Sequence, residues 1–484
     1  DGGKLRAKVI GEGANLGVTQ AGRIEFALHG GRINTDFIDN SAGVDCSDNE
    51  VNIKIALAAA KRAGKLSEPK RIKLLSEMTD EVARLVLEDN RLQALALSIA
   101  ETGGAKVAEA QLRLIDTLEE RGELDRGTEG LADNETLGRR ARDGLGLTRP
   151  ELAVLLSSTK LALQDAIEKS PLPADPALEP LLMSAFPAPM RKKFADQILE
   201  HRLRAELIAT KLANRIVNRL GIVHPFELAE EEGATLADVA AAFVVTETLF
   251  DMATLFADID AARMPETARL LLLDRAAKGM RIQMADVLCG GFAQGSPSEA
   301  VSEIEADVVT LAGGVDELLA PEGQQLAQRL RTEFAESGAP EPLSRRVSQL
   351  FEMDGAVGLA RLARTTEIEV GSLTHAFTDL GTALGLDWAQ GTAALMNPTD
   401  VWERLLVAGL ARDFQQMRFD FLRRLARRKG AKEDMSAAVA KWIDANAVGV
   451  RQFRTMITRA QAQSPVAPAM LAQIASMARN LLGR

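Results

Sequence analysis

The chain has 484 residues, 46% hydrophobic and 26% charged, an ordinary balance for a globular protein long enough for two or more domains. Its net charge of -10 and pI near 5.3 argue against a nucleic-acid or anionic-membrane partner, since both reward a basic surface. Aromatics are only 4% and Tyr is absent, so the core must be filled by Leu, Ala, Val, Ile and Met, which suits closely packed helices.

Two distant cysteines, Cys46 and Cys289, point to free thiols in a reducing compartment, which fits a cytoplasmic location. No apolar run approaches the roughly 20 residues that span a bilayer. The start, Asp1-Gly2-Gly3-Lys4-Leu5-Arg6, lacks both an initiator Met and signal-peptide character. The chain is therefore expected to be a fragment of a longer protein.

In chain order, Ala7-Lys8-Val9-Ile10 reads as a short buried strand, after which Gly11, Gly13 and Gly17 leave little side-chain bulk where the chain turns. Thr19 to Leu28 predicts a short helix closed by Gly30-Gly31, and Arg32 to Ile38 predicts a second strand. Asn40-Ser41-Ala42-Gly43 then turns the chain, and Ser47 or Asp48 caps a helix over about Asn49 to Arg62. Such an order suits the last part of a doubly wound α/β domain, where ligands sit beyond the carboxyl ends of the strands.

From Glu68 to Glu120 the apolar spacing predicts two or three helices with a break near Gly103-Gly104. The pattern fades over Arg121 to Leu147, which marks a domain junction, and Thr148-Arg149-Pro150-Glu151 is a capping box with Pro two residues after the cap. The rest is helical: one amphipathic run from Ala188 to Leu220 ending at an αL Gly221, a helix capped by Thr235 to Asp238, and one opened by Thr399-Asp400. Cys289 to Pro297 is either a surface loop or a hinge. The expected fold is mainly α, an N-terminal α/β remnant over 1–147 followed by an all-helical domain over 148–484.

Few motifs carry chemistry. Gly11 to Gly17 is G-x-G-x-x-x-G, one residue longer than the dinucleotide fingerprint, and by spacing alone it is either a structural or a ligand-facing turn. Asn40 to Ser47 offers an amide, backbone N–H groups and a hydroxyl, neutral donors that suit a carboxylate or a nicotinamide amide as well as an ordinary capped turn. His29, His201, His224 and His375 have no metal-ligand spacing, so no metal site is expected. The basic run Arg423 to Lys429 reads as a solvated helix end before Gly430, and the Met and Phe positions of the helical half read as core.

Together, Gly13-Ala14-Asn15 and, about 25 residues later, Asn40-Ser41-Ala42-Gly43-Val44-Asp45-Cys46-Ser47-Asp48-Asn49-Glu50 resemble the paired signatures of the glutamate dehydrogenase superfamily. The fuller wording, with GLTRPELAVLL near 145–156, is similar to the large bacterial NAD-specific glutamate dehydrogenases over most of the chain. The resemblance implies that residues up to about Leu147 end the nucleotide-binding catalytic domain and include helices returning across the cleft, and that the remainder is the C-terminal helical domain. It also implies NAD as cofactor, with glutamate and 2-oxoglutarate as substrate and product. Asn15 and Asn40 would face the nicotinamide, while Val44 and Ser47 would contact substrate, the Ser47 hydroxyl donating to the γ-carboxylate.

In the family, two lysines and an aspartate upstream of these signatures carry out the deamination, so no catalytic residue is assigned in this chain, which is expected to be inactive alone. Ala42 replaces a family glycine, and Asp39 puts a carboxylate beside the nicotinamide contact. Two alternatives remain: an oligomerisation or regulatory module over 148–484 that makes the enzyme a homo-oligomer, or a related amino-acid dehydrogenase for an apolar substrate, which Ser47 disfavours.

Overall fold

The computed structural model describes residues 2–315, 321–396, 398, 400–428 and 434–483. It divides into two compact units, Asp1–Ala229 with Thr235–Phe243, and Glu230–Ala234 with Val244–Arg484. The sequence break at 121–147 thus lies inside the first unit. No single helix among the described residues is long and apolar enough to cross a membrane.

The first unit opens with β1 (Val9–Ile10), α1 (Gln20–Leu28) and β2 (Arg32–Ile33). The two strands pair in parallel, Val9 with Arg32 and Ile10 with Ile33, as a helical crossover permits. Thr19 caps α1 by accepting from the Gly22 N–H. Its other end closes at Gly30, where φ is +85° and the Gly30 and Gly31 amides return to Ala27 and Phe26 carbonyls at 2.9 and 3.0 Å.

The predicted second strand ends early. Residues after Ile33 curl into α2 (Asp36–Asp39), because Asp36 and Asp39 both turn toward the glycine-rich segment and accept its backbone N–H groups. The predicted turn over Asn40 to Gly43 is likewise the start of a helix: α3 runs Ser41–Arg62 with Asn40 as its N-cap residue.

Next come α4 (Glu68–Thr102), α5 (Ala108–Glu120), α6 (Asn134–Arg142) and α7 (Arg149–Glu168). The break at Gly103-Gly104 is present, with Gly104 at φ +53°. The patternless stretch 121–147 holds α6, capped by Asp133 on the Thr136 N–H. At the capping box, the Thr148 N–H and hydroxyl each donate to Glu151 Oε2 at 2.7 Å, and Arg140 of α6 grips the same buried carboxylate with two bonds of 2.8 Å.

The long run from Ala188 to Leu220 is broken into α8 (Ala188–Lys193), α9 (Ala195–Leu199) and α10 (Arg204–Leu220). The corners bury Phe194 and His201. His201 Nδ1 accepts the Leu203 N–H at 3.1 Å while Nε2 lies 3.1 Å from the Asn52 carbonyl, so a local bond and a tertiary one interrupt the helical pattern. α10 packs chiefly on α7, and α4 lies against both. Gly221 ends α10 at φ +105° and ψ 172°, a positive φ that favours glycine but not the expected αL cap.

In the second unit, the helix Glu266–Cys289 packs on Glu341–Glu352, and Val401–Leu425 packs on Leu386–Leu395 and Pro468–Leu482. Cys289 to Pro297 is a corner at the surface, with Gly291 at φ +75°: Cys289, Gly291, Gln294 and Gly295 are exposed while Phe292 and Ala293 anchor it as buried residues. Asp400 caps Val401–Leu425 by accepting the Glu403 N–H, while Thr399, Lys429 and Gly430 lie outside the described residues. Arg418 is fully buried, its guanidinium 3.8 Å from the Phe377 ring centroid and bonded to Asp387 at 2.5 Å. All three tryptophans are here: Trp442 is buried edge-on to Phe421, Trp402 is 78% exposed, and Trp388 is half-buried.

Candidate functional site

A cleft of about 990 Å³ in the first unit is lined by the glycine-rich turn at Asn15 and Leu16, by the N-terminal half of α3, and by α4, α7 and α10. The turn is held from beneath. Glu12 is 4% exposed and takes a bidentate clasp from Arg23, at 2.6 and 2.7 Å, and the same guanidinium reaches Asp36 Oδ1 at 3.0 Å. Burial opposes ionisation of Asp36, yet the Leu16 N–H and Arg23 hold its carboxyl below the ordinary value.

Asp39, without a role in the sequence, has a structural one. Its Oδ2 accepts the Glu12 N–H at 2.8 Å and its Oδ1 accepts Asn34 Nδ2 at 2.6 Å. Arg149 in turn donates to Asn34 Oδ1 and, at 2.8 Å, to the Ala94 carbonyl. These bonds fix α2 against the turn and leave Leu16 in the left-handed region at φ +59°, 85% exposed at the cleft.

Across the rim, Asn40 Nδ2 donates to Asn15 Oδ1 at 2.7 Å, so the structure brings the two predicted asparagines together. A Cβ at Gly43 would stand 2.8 Å from Asn40 Oδ1 and displace that amide. Ala42 occupies the first turn of α3, an ordinary helical position where alanine is favoured, so its replacement of glycine leaves the backbone regular. Val44 lines the cleft; Ser47, one turn further along α3, is exposed and is not among the lining residues.

Sequence reasoning missed the far wall. Asn90 of α4 donates to the Ile38 carbonyl and to Ser41 Oγ, at 2.9 and 2.8 Å. Lys211 pairs with Asp89 at 2.6 Å, Asn49 donates to Asp45 Oδ1 at 3.0 Å, and Lys160 of α7 lines the same cleft. These residues sit on ordinary amphipathic helices, and nothing in their local spacing sets them apart. Among the described residues, no group of three or more His, Cys, Asp or Glu side chains is placed to hold a metal.

Two of these groups titrate abnormally. Burial, reinforced by Asp89 and Asp48 and opposed by Lys211, pushes the Asp45 carboxyl up to about 6, and burial pulls the Lys160 ammonium down to about 8. Folding therefore takes up a proton at Asp45 between about pH 4 and 6, and its contribution to stability falls as pH rises through that window. Asp45→Asn is expected to remove this slope. In urea melts, the stability of the variant relative to wild type should rise from pH 4 to pH 6 and then level; a constant difference would contradict the assignment.

By fold and site, the chain is a helical protein in which a glycine-turned strand–helix–strand unit opens on a helix-walled ligand cleft. Residues 144–479 match the family model described as glutamate dehydrogenase, C-terminal, and residues 1–100 match bacterial NAD-glutamate dehydrogenase, catalytic domain. The chain belongs to this glutamate dehydrogenase family. It is 35% identical to the NAD-specific glutamate dehydrogenase of Pseudomonas aeruginosa over 98% of its own length and 29% of that protein. It is 32% identical to the proteins of the same description from Halomonas elongata, over 92% of this chain and 28% of that one, and from Mycobacterium tuberculosis, over 94% and 29%. The chain thus spans under a third of the length of these relatives.

Proposed function

We propose that this chain is the C-terminal portion of an NAD-dependent glutamate dehydrogenase, which converts L-glutamate, NAD and water to 2-oxoglutarate, ammonium and NADH. Residues 1–147 then close the catalytic, nucleotide-binding domain, the parallel pair β1 and β2 being the edge of its doubly wound sheet, and 148–484 form the helical domain. The observation that carries the reading is the Asn15–Asn40 bond at the cleft rim.

That bond uses one donor and one acceptor and leaves Asn15 Nδ2 to donate and Asn40 Oδ1 to accept. A nicotinamide carboxamide presents the complementary C=O and NH₂, so the donor set fits NAD, which when bound would accept the α-hydride of glutamate. Val44 supplies apolar contact in the cleft, and Ser47 would donate to the substrate's γ-carboxylate from its edge. The buried frame of Glu12, Arg23 and Asp36 holds the asparagine turn in one geometry before any ligand arrives.

The test is glutamate-dependent NADH formation by the full-length protein, with Ser47→Ala expected to raise the KM for glutamate more than it lowers kcat. No NADH formation with glutamate would overturn the reading, and unchanged kinetics in the variant would remove Ser47 from it.

A further inference from the structure

The cleft's lining carries five carboxylates and two lysines, Lys160 and Lys211. Lys211 is held by Asp89 at 2.6 Å. Among the described residues no carboxylate lies within ion-pair distance of Lys160, although it is half-buried and lines the cleft. Asp89 favours its charged form from beyond contact distance but is itself bonded to Lys211, and a shielded ammonium with no carboxylate in contact is unfavourable until an anion joins it.

Two acceptors on the same lining are also unmatched. Asn218 is 6% exposed with Oδ1 unpartnered, and Asp45 Oδ2 is shielded and unpartnered although Asn49 holds Oδ1. One ammonium and two acceptor oxygens are the complement of a molecule that bears both a carboxylate and an ammonium.

We propose that Lys160 is a substrate-facing residue contributed by the helical domain, its ammonium taking one carboxylate of an amino dicarboxylate whose own ammonium faces Asp45 and Asn218. The proposal rests on the dehydrogenase reading above and deepens it, because it makes the region after Thr148 part of substrate recognition rather than a scaffold. Without ligand, at about 8, the Lys160 ammonium is mostly protonated near neutral pH yet keeps a reactive deprotonated fraction, which a bound carboxylate would diminish.

The experiment uses the full-length enzyme. Lys160→Gln is expected to raise both the KM for glutamate and the inhibition constant of glutarate, a dicarboxylate without the ammonium, by about tenfold or more, as for loss of a charge-assisted bond. The KM for NAD should stay within about twofold, and Lys160→Arg should recover part of the loss. Glutamate KM and glutarate inhibition within about twofold of wild type would overturn the proposal.

Acetylation of the wild-type protein, read by mass spectrometry, decides the matter if the glutamine variant does not fold. Glutarate at tens of millimolar should protect Lys160, and unprotected labelling would overturn the proposal. Protection without any turnover of glutamate would uphold the ligand contact while refuting the dehydrogenase reading, so the two fail separately.

Discussion

Arg23→Met is expected to destabilise the first unit by about 3–5 kcal/mol, because it leaves Glu12 and Asp36 as shielded carboxylates without their shared cation. Side-chain exposure is 6% for Arg23, 2% for Glu12 and 13% for Asp36, so water cannot replace the guanidinium. Deprived of it, Asp36 loses a charge that helps to hold its carboxyl low and keeps the burial that raises it, so the deficit should shrink as pH falls from 7 toward 5. In full-length protein the glycine turn would also lose its fixed geometry, and the KM for NAD should rise. Calorimetry across that pH range checks the first effect; a loss below about 1 kcal/mol would mean that the clasp is not the brace of the cleft rim.

The second large effect is expected at the start of α7. Arg140→Met strands Glu151, whose side chain is 1% exposed, and should cost about 3–5 kcal/mol. Thr148 would still donate twice to that carboxylate, but two neutral donors do not balance a buried charge. The double variant Arg140→Met with Glu151→Leu should recover much of the loss by removing the stranded charge, though not the cap, worth about 1 kcal/mol. Urea unfolding of wild type, the two single variants and the double variant, followed by far-ultraviolet circular dichroism, separates the cases. Strict additivity of the two substitutions would contradict the pairing.

Some of this was legible in the sequence because the causes are local. The capping box at Thr148 to Glu151 and the glycine close of α1 need only neighbouring residues. The strand expected to reach Ile38 failed because Asp36 and Asp39 answer to amides 20 and 27 residues away, and periodicity carries no such information. The single helix expected from Ala188 to Leu220 failed at His201 for the same reason.

At the site, the resemblance singled out Asn15, Asn40, Val44 and Ser47, of which the first three line the cleft and Ser47 does not. Lys160 and Asn218 were invisible, and Asp45 stood in the signature without a role, since three helices distant in sequence must pack before they line one cleft. Arg149 shows the limit well: the sequence marks it as the first residue of a helix, whereas the fold uses it to tie Asn34 to α4.

The distribution of the tryptophans has an experimental consequence. With Tyr absent and Trp388, Trp402 and Trp442 all in the second unit, the first unit has no fluorophore excited near 295 nm. Intrinsic emission will report the melting of the second unit alone, with buried Trp442 as the responsive probe and exposed Trp402 a nearly constant background. A variant such as Arg23→Met can therefore lose its cleft while its fluorescence melt stays superimposable on wild type. A tryptophan placed at exposed Phe37, beside the cleft, would give the silent half a signal of its own.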